Sequence, residues 1–168
     1  MKRIFAYLVI AGVLGIIGLM GFTIYQKLLK AEEVLARIVE LPELEAVELN
    51  ENSSNKSISS EPTIISYINT NCRFCLAEIE SIRQHPDLLK EARILLISDE
   101  PKRRLELFAN SFGLDTLSIE LAWDSSGTMK SLYGIKGVPS TFVYGRDQVL
   151  IEQFKGETNA EMLYELVK

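Results

Sequence analysis

The sequence predicts an α/β domain, a mixed central sheet flanked by helices, behind one N-terminal transmembrane helix. Three observations lead there. Ile4 to Tyr25 is a run of twenty-two residues without a charge. Residues 62–168 alternate short β-branched runs with amphipathic stretches in the order β-α-β-α, then a hairpin, then α. Between these regions the charge composition breaks. Residues 1–30 hold four bases and no acid, residues 31–61 eight acids against two bases, and residues 62–168 fifteen acids and twelve bases. The boundaries expected are therefore a membrane anchor at 1–30, an acidic juxtamembrane segment and polar linker at 31–61, and the folded domain at 62–168.

Composition excludes several classes of function. A chain of 168 residues that is 47 % apolar has material for a core. A net charge of −5 argues against binding nucleic acid through phosphate contacts. Two cysteines exclude a disulfide-rich scaffold and a four-cysteine zinc site, and one histidine excludes a multi-histidine metal site within the chain. No metal or cofactor is expected.

As a helix, residues 4–25 would span ~33 Å, enough for a bilayer core of ~30 Å. A cleaved signal peptide has an apolar run of only ~7–15 residues followed by a small-x-small site. No such site follows here, so an uncleaved anchor contacting membrane lipid is expected. Lys2, Arg3 and the terminal amine on one side slightly outnumber Lys27 and Lys30 on the other, which favours the N-terminus inside and the remainder outside the cytoplasm. The helical pattern continues over Gln26–Glu40 until Pro42 stops it. Asn50 to Glu61 reads as a polar loop.

Thr63–Ile68 is β-branched and aromatic, a buried strand. Asn69-Thr70-Asn71 ends it, and a helix is expected from Arg73 to Gln84, with Leu76, Ile79, Ile82 and Arg83 partly inward and His85-Pro86-Asp87 closing it. Arg93–Ser98 is a second strand. A helix capped by Ser98 or Asp99, with Pro101 in its first turn, runs to about Ser111 and stops at Gly113. Leu117–Ala122 reads as a short strand and Thr128–Tyr133 as a short helix. Ser140–Tyr144 and Val149–Phe154 form a hairpin through Gly145-Arg146-Asp147-Gln148. Asn159–Val167 is a last amphipathic helix.

Cys72-Arg73-Phe74-Cys75 carries the chemistry. Three-residue spacing puts both sulfurs on one side of a helical turn. At a helix start the dipole, the unpaired amides and Arg73 favour a thiolate at Cys72. So short a disulfide loop removes little chain entropy, which makes stapling a poor explanation and a reversible dithiol a better one. Cys72 would attack a client disulfide, and Cys75, one turn in, would resolve the mixed disulfide. Glu78 lies three residues further on the same face. It reads either as a partly buried carboxylate taking the Cys75 proton or as a solvated charge near Arg73 or Arg83. Pro139, in Gly137-Val138-Pro139-Ser140-Thr141-Phe142, reads equally as a strand-start proline or a cis one.

With these residues the chain resembles the thioredoxin-fold superfamily, most closely its membrane-tethered, extracytoplasmic TlpA-like branch. The likeness rests on the strand Thr63–Ile68, Cys72-x-x-Cys75-x-x-Glu78, Tyr133-Gly134-Ile135, the Val138-Pro139 segment and Phe154-Lys155-Gly156. Leu41-Pro42 and the alternation to Leu49 look like that branch's extra N-terminal β element. The resemblance implies a cis Pro139 facing the dithiol, a Val138 backbone that pairs with an extended client segment, and a redox-tuning role for Glu78. Arg73 and Phe74 would then border the client site. It also implies client proteins with thiols or disulfides, a membrane or extracytoplasmic thiol electron donor, and a reducing direction such as apocytochrome maturation. The chain departs from the family pattern at Asn71, where an aromatic residue is usual, at Arg73-Phe74, and at Ser66, where cytosolic thioredoxins carry a buried acid.

Three other functions compete. A peroxiredoxin-like peroxidase wants Pro-x-x-x-Thr-x-x-Cys, and Asn69 stands at the threonine position. A metal chaperone would need His85 beside the thiols, ~15 Å along a continuous helix from Cys75. A non-catalytic binding module would be expected to have lost a cysteine.

Overall fold

A computed structural model describes residues 2–42, 48–49 and 61–168, with side chains from Gly12 onward apart from Glu48, Leu49 and Asp115. The expected alternation over 43–47 and the polar loop over 50–60 lie outside the described residues. The chain divides into two compact units at the Ala36–Arg37 junction.

The first unit is most of α1 (Lys2–Ile38). From Gly12 to Glu33 its described side chains are all exposed, with Leu14, Leu19 and Phe22 at 62–68 %. It is long and apolar enough to cross a membrane. Apolar side chains exposed over such a length are poorly matched to water.

The helix ends at Ile38, two residues before the expected Glu40. The chain there turns to an extended path along a hairpin. Leu150 N–H donates to the Val39 carbonyl (2.8 Å) and Leu41 N–H to that of Gln148 (2.9 Å), with Glu40 bridged to Val149. Ile38 is fully buried and its carbonyl accepts from the Tyr144 hydroxyl at 3.0 Å. These backbone pairings fix the boundary before Pro42 can act.

The second unit runs β1 (Glu48–Leu49), β2 (Thr63–Tyr67), α2 (Arg73–Arg83), α3 (Pro86–Glu91), β3 (Arg93–Ser98), α4 (Lys102–Phe112), a 3₁₀ turn (Leu114–Leu117), β4 (Ile119–Trp123), α5 (Thr128–Leu132), β5 (Ser140–Tyr144), β6 (Leu150–Lys155) and α6 (Ala160–Val167). The six strands lie in the order β1-β4-β3-β2-β5-β6. β2, β3 and β4 are parallel, while β5, β6 and β1 pair antiparallel. This is the mixed sheet the alternation predicts.

Side chains alternate across β2. Ile64 and Ile68 join one core with Ile79 and Ile82 of α2, Leu88 of α3 and Leu163 of α6. Ser66 shares their face by period two. Thr141, paired in register with Ser66, belongs to the same face of β5. Two hydroxyls thus meet inside an apolar layer, under α2.

Several boundaries differ from expectation. His85-Pro86-Asp87 does not merely close α2; it opens a further helix, α3. His85 Nδ1 accepts the Leu88 N–H (3.1 Å), and Pro86 occupies a first-turn position that needs no donor. The same residues serve as a stop signal and a start signal. Arg83 is exposed, because the inward face of α2 is set by Cys75, Glu78, Ile79 and Ile82. Pro101, without a side-chain cap, precedes α4, and Ser98 Oγ accepts the Glu100 N–H (3.3 Å) instead. Gly113 ends α4 as expected, at φ +63°, where a β-carbon would be strained. Leu117 is in the 3₁₀ turn and the strand begins two residues later.

Candidate active site

The site is built where β2 ends and α2 begins. Asn69 Oδ1 accepts the Asn71 N–H (2.9 Å) and the Asn69 carbonyl accepts that of Cys72 (3.1 Å), so a tight turn delivers Cys72 to the N-cap of α2. The β3–α4 connection braces this turn. Glu100, 7 % exposed, accepts the Thr70 N–H (2.6 Å) and hydroxyl (3.1 Å), and pairs with Arg104 at 3.1 Å.

Both cysteines are free thiols, Cys72 half-buried and Cys75 buried. Cys72 Sγ accepts the Cys75 N–H at 3.3 Å and lies 3.7 Å from the Val138 carbonyl. The Val138–Pro139 peptide bond is cis. Arg73 and Phe74 are exposed beside Cys72, the Arg73 guanidinium 4.6 Å over the Phe74 ring. Burial pushes the Cys75 thiol up to about 12, with the adjacent Cys72 sulfur adding to the effect.

Glu78 lies in the interior, 1 % exposed. Oε1 accepts from Ser66 Oγ (2.8 Å) and Thr141 Oγ1 (2.7 Å), and Oε2 from the Thr158 N–H (3.1 Å). Desolvation holds this carboxyl above the usual carboxylate range against the opposing effect of those three donors. The solvated-charge reading of Glu78 is therefore excluded by its burial.

The fold brings Cys72, Cys75, Val138 and Pro139 together and sets Glu78 one turn behind. Sequence reasoning did not find Ser66, Thr141 or Thr158 as carboxylate partners, nor Glu100 as the brace of the turn. Ser66 carried a signal, being the polar residue inside an apolar strand. Thr158 carried none, because it contributes a backbone N–H. His85 is engaged at both ring nitrogens, with Leu88 N–H on Nδ1 and Glu161 3.3 Å from Nε2. Among the described residues no group of three or more His, Cys, Asp or Glu side chains gathers to hold a metal.

A dithiol at a helix N-terminus, beside a cis-proline loop on this strand order, defines a thioredoxin-fold thiol–disulfide oxidoreductase. A model of the AhpC/TSA family matches residues 39–153, and the chain belongs to that family. It is similar to the thiol–disulfide oxidoreductase ResA of Bacillus cereus, 25 % identical over 155 residues that cover 90 % of this chain and 88 % of that protein. ResA of Bacillus anthracis is likewise 25 % identical, over 87 % of this chain and 85 % of its own. Among solved structures, a thiol–disulfide isomerase from Corynebacterium glutamicum superposes with a TM-score of 0.62 at 16 % identity, covering 77 % of this chain and 96 % of that one. StoA from Bacillus subtilis does so with a TM-score of 0.54 at 19 % identity, covering 66 % and 84 %.

Proposed function

We propose that this protein is a membrane-anchored, extracytoplasmic oxidoreductase in which Cys72 is the nucleophile, Cys75 the resolving thiol and Glu78 the proton acceptor. The observation that carries the reading is the asymmetry of the two sulfurs. Cys72 stands at the helix cap with a backbone N–H directed at it, and Cys75 is sealed behind it.

In the reducing direction, the Cys72 thiolate attacks a client disulfide. A Cys72–client disulfide forms and one client thiolate leaves. Cys75 then gives its proton to the Glu78 carboxylate and attacks Cys72 Sγ. The Cys72–Cys75 bond forms, the second client sulfur leaves as a thiolate, and two electrons have passed to the client. A membrane or extracytoplasmic thiol donor reverses the internal disulfide. The Val138 backbone pairs with an extended client segment next to Cys72, a form of strand addition. Arg73 and Phe74 border the same segment.

α1 supplies the anchor through residues 4–25, with the N-terminus inside. The acidic segment 31–61 follows the anchor in the chain and leads into the redox domain at 62–168, to whose sheet it contributes the edge strand β1 (Glu48–Leu49). Reduction is the favoured direction on the resemblance to the TlpA-like branch, and relatives named as thiol–disulfide oxidoreductases, aligned over 87–90 % of this chain, support the exchange chemistry itself. Apocytochromes fit as clients, since the two cysteine thiols that bond covalently to haem must be reduced before attachment.

The test is capture in cells with Cys75→Ser. That variant retains the first step and lacks the second, so it accumulates mixed disulfides whose partners name both client and direction. Equal capture by Cys72→Ser would reverse the assignment of the two sulfurs.

A further inference from the structure

We propose that Ser66 and Thr141 are positioning residues whose hydroxyls let Glu78 gain and lose a proton in place. The inference rests on reading Glu78 as the acceptor of the Cys75 proton. It is carried by a triangle of oxygens. Ser66 Oγ and Thr141 Oγ1 lie 2.8 and 2.7 Å from Glu78 Oε1, and 2.9 Å from each other. Ser66 and Thr141 are both fully buried.

Counting protons shows what the triangle does. With Glu78 ionised, both hydroxyls donate to Oε1 and the Thr158 N–H donates to Oε2, so a buried anion holds three donors. With Oε1 protonated, the acid donates to one hydroxyl, that hydroxyl to the other, and the second back to Oε1. Each O···O edge then holds one proton, and Oε2 keeps its N–H. Neither state leaves a buried donor without an acceptor, the usual cost of moving a proton inside a protein. Fixed donors such as amides would satisfy only the anion; rotatable hydroxyls satisfy both.

The arrangement follows from the fold. Ser66 and Thr141 are register partners across β2 and β5, and Glu78 descends on them from α2. The titratable groups acting on this carboxyl are Glu157, from the segment before α6, and Cys75 on its own helix.

The experiment follows the Glu78 side-chain carboxyl by carbon NMR against pH in the reduced full chain, with the signal assigned by Glu78→Gln. Loss of a donor to the anion raises the titration midpoint. Thr141→Val and Ser66→Ala are each expected to move it up by about one pH unit. Thr141→Ser keeps the hydroxyl and is expected to restore the wild-type midpoint. An unmoved midpoint in Thr141→Val and Ser66→Ala, or a Thr141→Ser shift as large as that of Thr141→Val, overturns the proposal. The pH profile of Cys75 alkylation separates the two layers of the argument. If Glu78→Gln leaves that profile unchanged, the acceptor role of Glu78 fails, while the midpoints still decide the role of the hydroxyls.

Discussion

The rim and the floor of the site solve opposite problems with the same element, sulfur. The rim holds Cys72, with Arg73 and Phe74 exposed next to it and the Val138 carbonyl alongside. The floor holds Cys75 and Glu78, out of contact with water and tied into β2 and β5. Three residues of one helical turn separate the two environments. A reactive sulfur needs access and a donor that steadies its negative charge; a resolving sulfur needs shelter until a mixed disulfide forms. Under the proposed mechanism the difference gives the exchange a built-in order: contact at the rim comes first, and proton transfer at the floor second.

The largest expected effect breaks the comparison outright. Cys72→Ser should reduce turnover of a protein disulfide to the uncatalysed rate, while Cys75→Ser should give one stoichiometric burst and then stop. Rapid-quench measurement of released client thiol separates these outcomes. Glu78→Gln probes the floor alone. General-base help is worth ~10² or more in rate, so release of the second client sulfur should slow by about that factor with the first step unchanged. Stopped-flow kinetics across pH resolves the two phases.

A stability measurement sharpens the same contrast. Glu78 titrates higher in the folded chain than its ordinary value of 4.5, so the folded state binds more protons than the unfolded state above that pH. The stabilisation is complete below the ordinary value and is lost as pH rises through the folded one. The Tm of the wild type should therefore fall relative to Glu78→Gln as pH is raised above 4.5 toward neutrality. Parallel Tm curves for the two proteins would place the titration elsewhere. The smallest effect belongs to the rim: Phe74→Ala should raise the KM for a protein client by about fivefold, ~1 kcal/mol, and leave kcat unchanged.

How much of this was readable beforehand depends on the kind of information each feature carries. The strands Thr63–Tyr67, Arg93–Ser98 and Ser140–Tyr144 announce themselves, because apolar, β-branched runs of this length suit strands buried on both faces, as all their residues but Arg93 are. The dithiol is equally plain, since its spacing and its place after a strand are sequence properties. α3 was hidden because Pro86 looks the same as an end or a beginning. The Glu78 cradle was hidden because it is assembled across separations of 12, 63 and 80 residues, and one of its donors is a main-chain N–H. Glu100 escaped for the same reason, reaching Thr70 across 30 residues. Local pattern reveals elements; the register between strands, which brings Ser66 to Thr141, emerges only when the sheet closes.

The proposed mechanism turns on which sulfur meets the solvent as the attacking group. A brief pulse of iodoacetamide on the fully reduced chain near neutral pH, followed by peptide mapping, asks this directly. Cys72 is expected to be labelled first and nearly alone, and prior oxidation to the Cys72–Cys75 disulfide to block labelling. Preferential labelling of Cys75, or two equally slow thiols that form no reversible bond with each other, would contradict it.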